Sequence, residues 1–307
     1  MNTRDLEYLI AVADELHFGR AAIRCNVSQS ALSGQIGKLE DRLGVTIFER
    51  TKRHVQLTEI GRRLIARSKD VLTSVDALQR VAAAHTDPLA GHIVIGMPPT
   101  IGPYLTPLLL RVMKEYLPDL QLDLVEDFTD HLEDQLSDGS MDLAILATTP
   151  TRSNLSEIVL YKEPFWVAMP SGHPLTAEDS VDVEKIDASE LLLLADGHCL
   201  RDQISEACKL GQNGKAGRRA ARTQKTSLTT ILSLVGSGYG VTLVPAMSLS
   251  EAWVTDAGIA IRREKSGKAG RTVRLTHRKG YPRMALVEKL ADIVAGIVPD
   301  TVHAVRR

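Results

Sequence analysis

The segment Ala195–Leu210, ADGHCLRDQISEACKL, holds the residues of this chain with the most evident chemistry. Cys199 follows Gly197 and His198 and falls where the pattern predicts the start of a helix. A helix N-terminus and a neighbouring cation both favour thiolate, the nucleophilic form of cysteine. Cys208 lies nine residues on. On one unbroken helix, that separation is about 13 Å at 1.5 Å per residue. A disulfide needs Cα atoms roughly 4.4–6.8 Å apart. A bond between the two would therefore require the intervening segment to unwind or move. Other chemistries fit the same residues. Cys208 suits a small core position, since free cysteine is often buried. His198, Cys199 and Cys208 are zinc-ligand types, but their spacing matches no common zinc pattern and a fourth ligand is not evident, so no metal is expected. Cys199 with His198 as base would be an enzyme nucleophile, although adjacent side chains rarely meet in the needed geometry. Cys25 has no candidate partner and reads as core packing.

The elements that must position this chemistry alternate strand and helix from Gly91 onward. His92–Met97 is strand-like, Pro103–Tyr116 helical, Gln121–Glu126 strand-like, His131–Leu136 helical and Met141–Leu146 an apolar strand. That order predicts βαβαβ and a mostly parallel sheet. A second set follows: strands at Phe165–Met169 and Leu191–Ala195, a helix after Cys199, a helix over Ser227–Val235, and a strand at Val241–Val244. A strand at Arg271–Thr276 and a helix from Met284 close the chain. Two such halves fit a two-lobed α/β domain, with a ligand cleft between the lobes at the carboxyl ends of strands. The basic stretch Lys209–Lys225, with Lys215, Arg218, Arg219 and Arg222 inside it, reads as solvated surface.

The N-terminal residues have a different pattern. Leu6, Leu9, Ile10 and Ala13 recur at helical spacing, and a second short helix holds Ala21 and Ala22. After a break at Asn26 and Val27, Ser28 is an N-cap candidate. Leu32, Ile36, Leu39 and Leu43 then mark an amphipathic helix ended by Gly44. Two short extended pieces follow, with Arg50, Lys52 and Arg53 in the turn between them. This is the logic of a winged helix-turn-helix, whose recognition helix packs one face and presents the other to double-stranded DNA. The presented residues are Gln29, Ser30, Ser33, Gln35 and Lys38. Ser28 is placed to meet a phosphate, and Arg50, Lys52 and Arg53 to meet the backbone from a wing tip. On periodicity alone a plain three-helix bundle with a solvated polar face fits as well. A long helix from residue 59 carries Leu64, Val71 and Leu78 seven apart, a seam for packing or dimerisation.

Composition narrows the classes without choosing among them. The chain has 307 residues, 44% hydrophobic and 24% charged, which suits two or three globular domains. Residues 1–87 hold 13 Lys and Arg against 11 Asp and Glu, and residues 88–307 hold 24 against 27. Neither part has a strongly basic footprint, so DNA binding has to rest on arrangement. No membrane span or signal peptide is expected. Three cysteines do not make a disulfide-stapled secreted domain, so a cytoplasmic location is expected.

The pieces AVADELHFGRAA, VSQSALSGQIGKLEDRLG and FERTKRHVQLTEIG, with the long helix and the α/β region beyond, resemble the LysR-type transcriptional regulators over nearly the whole chain. That resemblance implies an N-terminal winged helix-turn-helix (1–58), a linker and dimerisation helix (59–87) and a two-lobed periplasmic-binding-protein-like regulatory domain (88–307). Lobe I would span about 88–162 and 270–307, and lobe II about 163–269. It also implies homodimers or homotetramers, promoter DNA and RNA polymerase as partners, and no cofactor. GHCLRDQ followed by Cys208, with MPPTIGPYLTPLL, SLTTILSLVGSGYGVTLVPA and GRTVRLTHR, is similar to the hydrogen-peroxide-sensing members of the family. From that likeness Cys199 is expected as the peroxidatic thiol and Cys208 as the resolving thiol, joined by a disulfide when oxidised and separated by thiol reductants. Thr100, Thr129, His198, Asp202 and Arg271 would hold peroxide, and the chain would activate oxidative-stress genes. The alternatives are a family member that answers to a small metabolite between its lobes, and a thiol peroxidase.

Overall fold

The computed structural model describes residues 1–50, 54–210, 227–249 and 258–305. The chain divides into two compact units, Met1–Ala82 and Ala83–Arg307.

The first unit is helical. α1 (Thr3–Glu15) starts at a capping box in which Asn2 and Asp5 exchange two hydrogen bonds of 2.9 Å. Such reciprocal pairs satisfy backbone donors that a helix start leaves open. α2 (Phe18–Arg24) is capped by His17, whose Nδ1 accepts from the N–H groups of Gly19 and Arg20. Ala21 and Ala22 are buried, and their small side chains let neighbouring helices approach. α3 (Gln29–Leu43) is capped by Ser28 and ends at Gly44 with φ +68°, where the sequence places both signals. Its buried stripe is Leu32, Ile36 and Leu39. β1 (Phe48–Arg50) and β2 (Val55–Leu57) form an antiparallel hairpin. Glu40 ties α3 to it, because its carboxylate accepts from the N–H groups of Ile47 (2.7 Å) and Phe48 (3.0 Å).

α4 (Glu59–Thr86) has 28 residues and a length of about 42 Å. Leu64 packs on the core of the first unit, whereas Val71 is 46% and Leu78 72% exposed within the chain. The apolar seam predicted from the sequence is therefore open at these two positions. Among the described residues no helix is long and apolar enough to cross a membrane.

In the second unit, β3 (Gly91–Met97) lies between β4 (Leu120–Glu126) and β5 (Leu143–Leu146) and runs parallel to both. α5 (Gly102–Tyr116) and α6 (Thr129–Asp138) make the crossovers. The expected βαβαβ ends there. β6 (Leu155–Pro170) is one strand of 16 residues that serves both lobes. Its first part pairs antiparallel with β10 (Gly270–Arg278), which also pairs antiparallel with β5. Its second part pairs antiparallel with β8 (Thr242–Pro245) and β9 (Ile259–Glu264). The sheet is thus mixed, not mostly parallel as the sequence suggested. One long strand passes from lobe to lobe, and the strand that returns beside it has to run the other way. Short strands β7 (Ser180–Val181) and β11 (His303–Ala304) complete it. The run Leu191–Leu194 is buried but adds only a single bridge, Leu191 to Val241, where a strand was expected.

Each lobe has its own core. Ile93, Ile95, Leu105, Leu143, Tyr161 and Leu286 lie in the first, closed by α9 (Met284–Ile297). Phe165, Val167, Ile204, Val235 and Leu243 lie in the second, with α7 (Cys199–Ala207) and α8 (Leu228–Gly236) packed on the sheet.

Gly61, in the first turn of α4, lies so close to the Ile47 carbonyl that a Cβ has no room. Gly61→Ala is expected to destabilise the first unit by about 1–3 kcal/mol through overpacking. A thermal unfolding midpoint equal to that of the unsubstituted chain would contradict this packing.

Candidate functional site

The exposed face of α3 carries Gln29, Ser30 and Lys38, with Ser33 and Gln35 half-buried beside them. The Ser28 hydroxyl is committed to its helix: it accepts from Ala31 N–H (3.2 Å) and lies 3.1 Å from the Ser30 hydroxyl. Arg50 ends β1. Its side chain, together with Lys52 and Arg53, falls outside the described residues, as do Lys215, Arg218, Arg219, Arg222 and Lys225.

The thiol site is built around a buried ion pair. Arg271 of β10 and Glu163 of β6 are directly opposed in the strand register. Arg271 Nε donates to Glu163 Oε2 at 2.7 Å, and both side chains are essentially sealed from solvent. Glu163 Oε1 accepts from Met247 N–H at 2.7 Å. The other end of the guanidinium reaches the loop between β3 and α5, where Thr100 accepts through Oγ1 (3.0 Å) and through its carbonyl (2.9 Å). Burial works against the charge of Arg271, but Glu163, Tyr161 and Cys199 outweigh it and hold the proton more firmly. Arg271 therefore stays cationic, and Cys199 is near enough for the two charges to interact.

Cys199 is the first residue of α7 and half-buried. His198 holds the N-cap position without using its side chain as a cap. Its ring instead packs edge-to-face on Phe128, centroids 4.8 Å apart. Burial lowers the His198 pKa, so the imidazole is neutral near pH 7 and offers one donor and one acceptor. The cation beside the thiol is Arg271, not His198. Thr129 opens α6, and its hydroxyl is buried with no hydrogen-bond partner among the described residues. Thr148 Oγ1 and Gln203 Oε1 are in the same condition. Gln203 Nε2 donates to the Ala147 carbonyl at 2.8 Å, so α7 is fastened to the end of β5. Buried polar atoms without protein partners suit a small polar molecule. Asp202 is exposed in the first turn of α7, where its charge complements the helix dipole.

Cys208 caps the other end of α7 and is buried in the core of the second lobe. Burial and the Glu264 carboxylate push its thiol up to about 11, so it is protonated at neutral pH. Lys209 follows with φ +48°, and two backbone bonds close the helix: Lys209 N–H to Glu206 O (3.0 Å) and Leu210 N–H to Ser205 O (2.9 Å). This is a Schellman stop with lysine where glycine is usual. Lys209 Nζ is held by Glu184 at 2.8 Å. Both cysteines thus terminate one unbroken helix, with the separation of about 13 Å that its rise sets.

Among the sequence-predicted residues, Thr100 bonds the Arg271 guanidinium, Cys199 lies within its electrostatic reach with His198 next in the chain, and Asp202 stays at the solvent side. Sequence reasoning missed Glu163, Phe128, Thr148 and Gln203. Glu163 carried a signal, a lone carboxylate inside the apolar run VLYKEPFWVAMP, since a charge in such a run has to be paired.

This architecture defines a two-part regulator. Residues 3–62 match the family described as "Bacterial regulatory helix-turn-helix protein, lysR family". Residues 86–297 match "LysR substrate binding domain". The chain belongs to the LysR family. It is 39% identical over 295 residues to the hydrogen peroxide-inducible genes activator of Dickeya chrysanthemi, covering 96% of this chain and 95% of that one. Among solved structures it is similar to a full-length OxyR variant from Pseudomonas aeruginosa (TM-score 0.66, 37% identity, 96% of this chain and 97% of that one). A peroxide-bound OxyR mutant from Corynebacterium glutamicum also matches (TM-score 0.63, 33% identity, 95% of this chain and 91% of that one).

The buried neutral His198 gives a pH dependence with a definite sign. Burial holds its folded pKa below the ordinary histidine range, so the folded state binds fewer protons than the unfolded chain as pH falls through that region. Stability is expected to drop on going from pH 7 to pH 5, and His198→Asn to remove part of that drop. Thermal unfolding of both proteins at the two pH values checks it, and parallel pH dependences would show that His198 plays no part.

Proposed function

We propose that this chain is a DNA-binding transcriptional regulator that detects hydrogen peroxide through Cys199 and Cys208. The observation that carries the reading is one helix with a cysteine at each end, one beside a buried guanidinium and the other kept as a buried thiol. The likeness to peroxide-inducible activators over nearly the whole chain supports it. Residues 1–58 would read promoter DNA through α3 and the hairpin. The helix over 59–87 would pair subunits, and residues 88–307 would carry the thiol switch. The setting we assign is the cytoplasm, where thiol reductants reset the switch.

The chemistry balances as follows. The Cys199 thiolate attacks one peroxide oxygen, and the O–O bond breaks. Cys199 becomes a sulfenic acid, and the departing hydroxide takes a proton to become water. Arg271 would stabilise the thiolate and the hydroxide. The hydroxyls of Thr100 and Thr129 and the neutral imidazole of His198 are the candidate partners of the peroxide oxygens, with Asp202 at the solvent side. Cys208 then loses its proton and attacks the Cys199 sulfur. An S–S bond forms, and the hydroxyl leaves as a second water. Two thiols are oxidised and one peroxide is reduced to two waters.

The second step needs α7 to open. Unwinding exposes Leu200 and Ile204, both now fully buried, at a cost of about 1.5–3 kcal/mol each. Rearrangement of this segment, next to β10 and the second core, is what would re-space the paired DNA-reading heads.

Cys199→Ser is expected to abolish the peroxide-dependent change in promoter binding while leaving binding itself intact. In the unsubstituted protein, peroxide should yield a Cys199–Cys208 cross-linked peptide by mass spectrometry at about one peroxide per chain. A serine variant that still answers peroxide, or thiols left unmodified, would falsify the reading. Sustained multiple turnover would instead mark a thiol peroxidase.

A further inference from the structure

Arg271 has five N–H donors, and three of them bond to Glu163 Oε2, Thr100 Oγ1 and the Thr100 carbonyl. Two donors remain without a partner among the described residues, and they are the ones left for an anion at the site. The Nε donor, which fixes the plane of the guanidinium, belongs to Glu163. Glu163 is itself fixed at its second oxygen by Met247 N–H, and it faces Arg271 across paired strands. Its carboxylate is sealed from solvent and has no other cation within salt-bridge distance among the described residues.

We infer that Glu163 is a positioning residue for the thiol reaction: it aims the Arg271 guanidinium and takes up part of its charge, and so sets how readily Cys199 reacts. The inference rests on the thiol reading above. Its physical core is a charge count. With Cys199 ionised, the half-buried thiolate and the sealed Arg271–Glu163 pair together carry one net negative charge. With Cys199 protonated they are neutral. Glu163 thus restrains the thiolate that Arg271 promotes, and a like charge nearby disfavours ionisation. The other titratable groups are His198 and Asp202 from the thiol's own segment, Tyr161 of β6, which acts on Arg271, and Tyr104 of α5, on which Arg271, Glu163 and Glu126 of β4 act. Burial raises both tyrosines above their ordinary range and lowers His198, so all three are neutral near pH 7.

The sign of the effect separates charge from scaffolding. Glu163→Gln keeps the size and an acceptor for Arg271 Nε but removes the charge. The pH midpoint of Cys199 reactivity is expected to fall by roughly one unit, which means roughly tenfold more thiolate on the acid side. A less basic thiolate is also a weaker nucleophile, by about threefold per unit. The curves should therefore cross: the variant is about threefold faster at acid pH and about threefold slower on the alkaline plateau. Glu163→Asp keeps the charge but shortens the reach, so its alkylation midpoint should stay in place while its rate of peroxide oxidation falls throughout.

The experiment is alkylation of Cys199 by iodoacetamide in the full-length protein, followed by peptide mapping across pH, with peroxide oxidation run on the same samples. Crossing profiles for Glu163→Gln support the inference. An unmoved or raised midpoint overturns it, and leaves Glu163 a structural residue only. Should Glu163→Gln fail to fold, Glu163→Asp decides alone: a wild-type rate of peroxide oxidation at every pH overturns the positioning role. Wild-type Cys199 that alkylates normally but ignores peroxide sinks the peroxide reading, not the charge count.

Discussion

An α-helix advances 1.5 Å per residue, and at the thiol site nothing else is needed to hold two sulfurs apart. Cys199 and Cys208 sit at opposite ends of α7, so the helix itself enforces their separation as long as it exists. Everything that stabilises α7 therefore also keeps the thiols apart: the burial of Leu200 and Ile204, the Gln203 bond to the Ala147 carbonyl, and the Arg201 bond to the Leu194 carbonyl at 2.6 Å. The arrangement also divides labour between the cysteines. One is half-open to solvent beside a cation, and the other is a protonated side chain in an apolar core. Two thiols with the same surroundings would compete for the same oxidant.

The cation is held by long-range structure. β6 and β10 join the two lobes, and their register sets Arg271 opposite Glu163. Breaking one partner of a buried pair leaves an uncompensated charge, which typically costs about 3–5 kcal/mol. The pair therefore marks a point where the sheet tolerates little change. Thr100, from the end of a parallel strand in the first lobe, binds the same guanidinium. Three elements far apart in sequence thus meet at one planar group.

Much of this was legible in the residues. The caps of α3, Ser28 and Gly44, and the start of α7 at Cys199 follow local rules that need no tertiary context. The length of β6 was not legible. Pro164 lies in its middle and reads as a strand end, because proline cannot donate to a ladder. In the structure Pro164 marks the point where β6 exchanges β10 for β8 and β9 as partners. Leu191–Leu194 misled in the opposite sense, since an apolar run reports burial and not pairing. Glu163 escaped because its role depends on register between strands more than 100 residues apart in sequence. The bond from Gln203 to the Ala147 carbonyl likewise exists only once α7 is brought against the end of β5.

α7 has nine residues, fewer than an isolated helix needs to persist in water. Its stop places a lysine in a left-handed conformation that such residues adopt at a cost. Cleaving a cross-link between its ends would give back two thiols but not the wound segment. Winding has to start again from a costly nucleus and wait for Leu200 and Ile204 to find their places. Recovery then has a clock of its own, set by refolding and distinct from the chemistry of reduction. A switch of the kind proposed would carry a short memory of its last exposure.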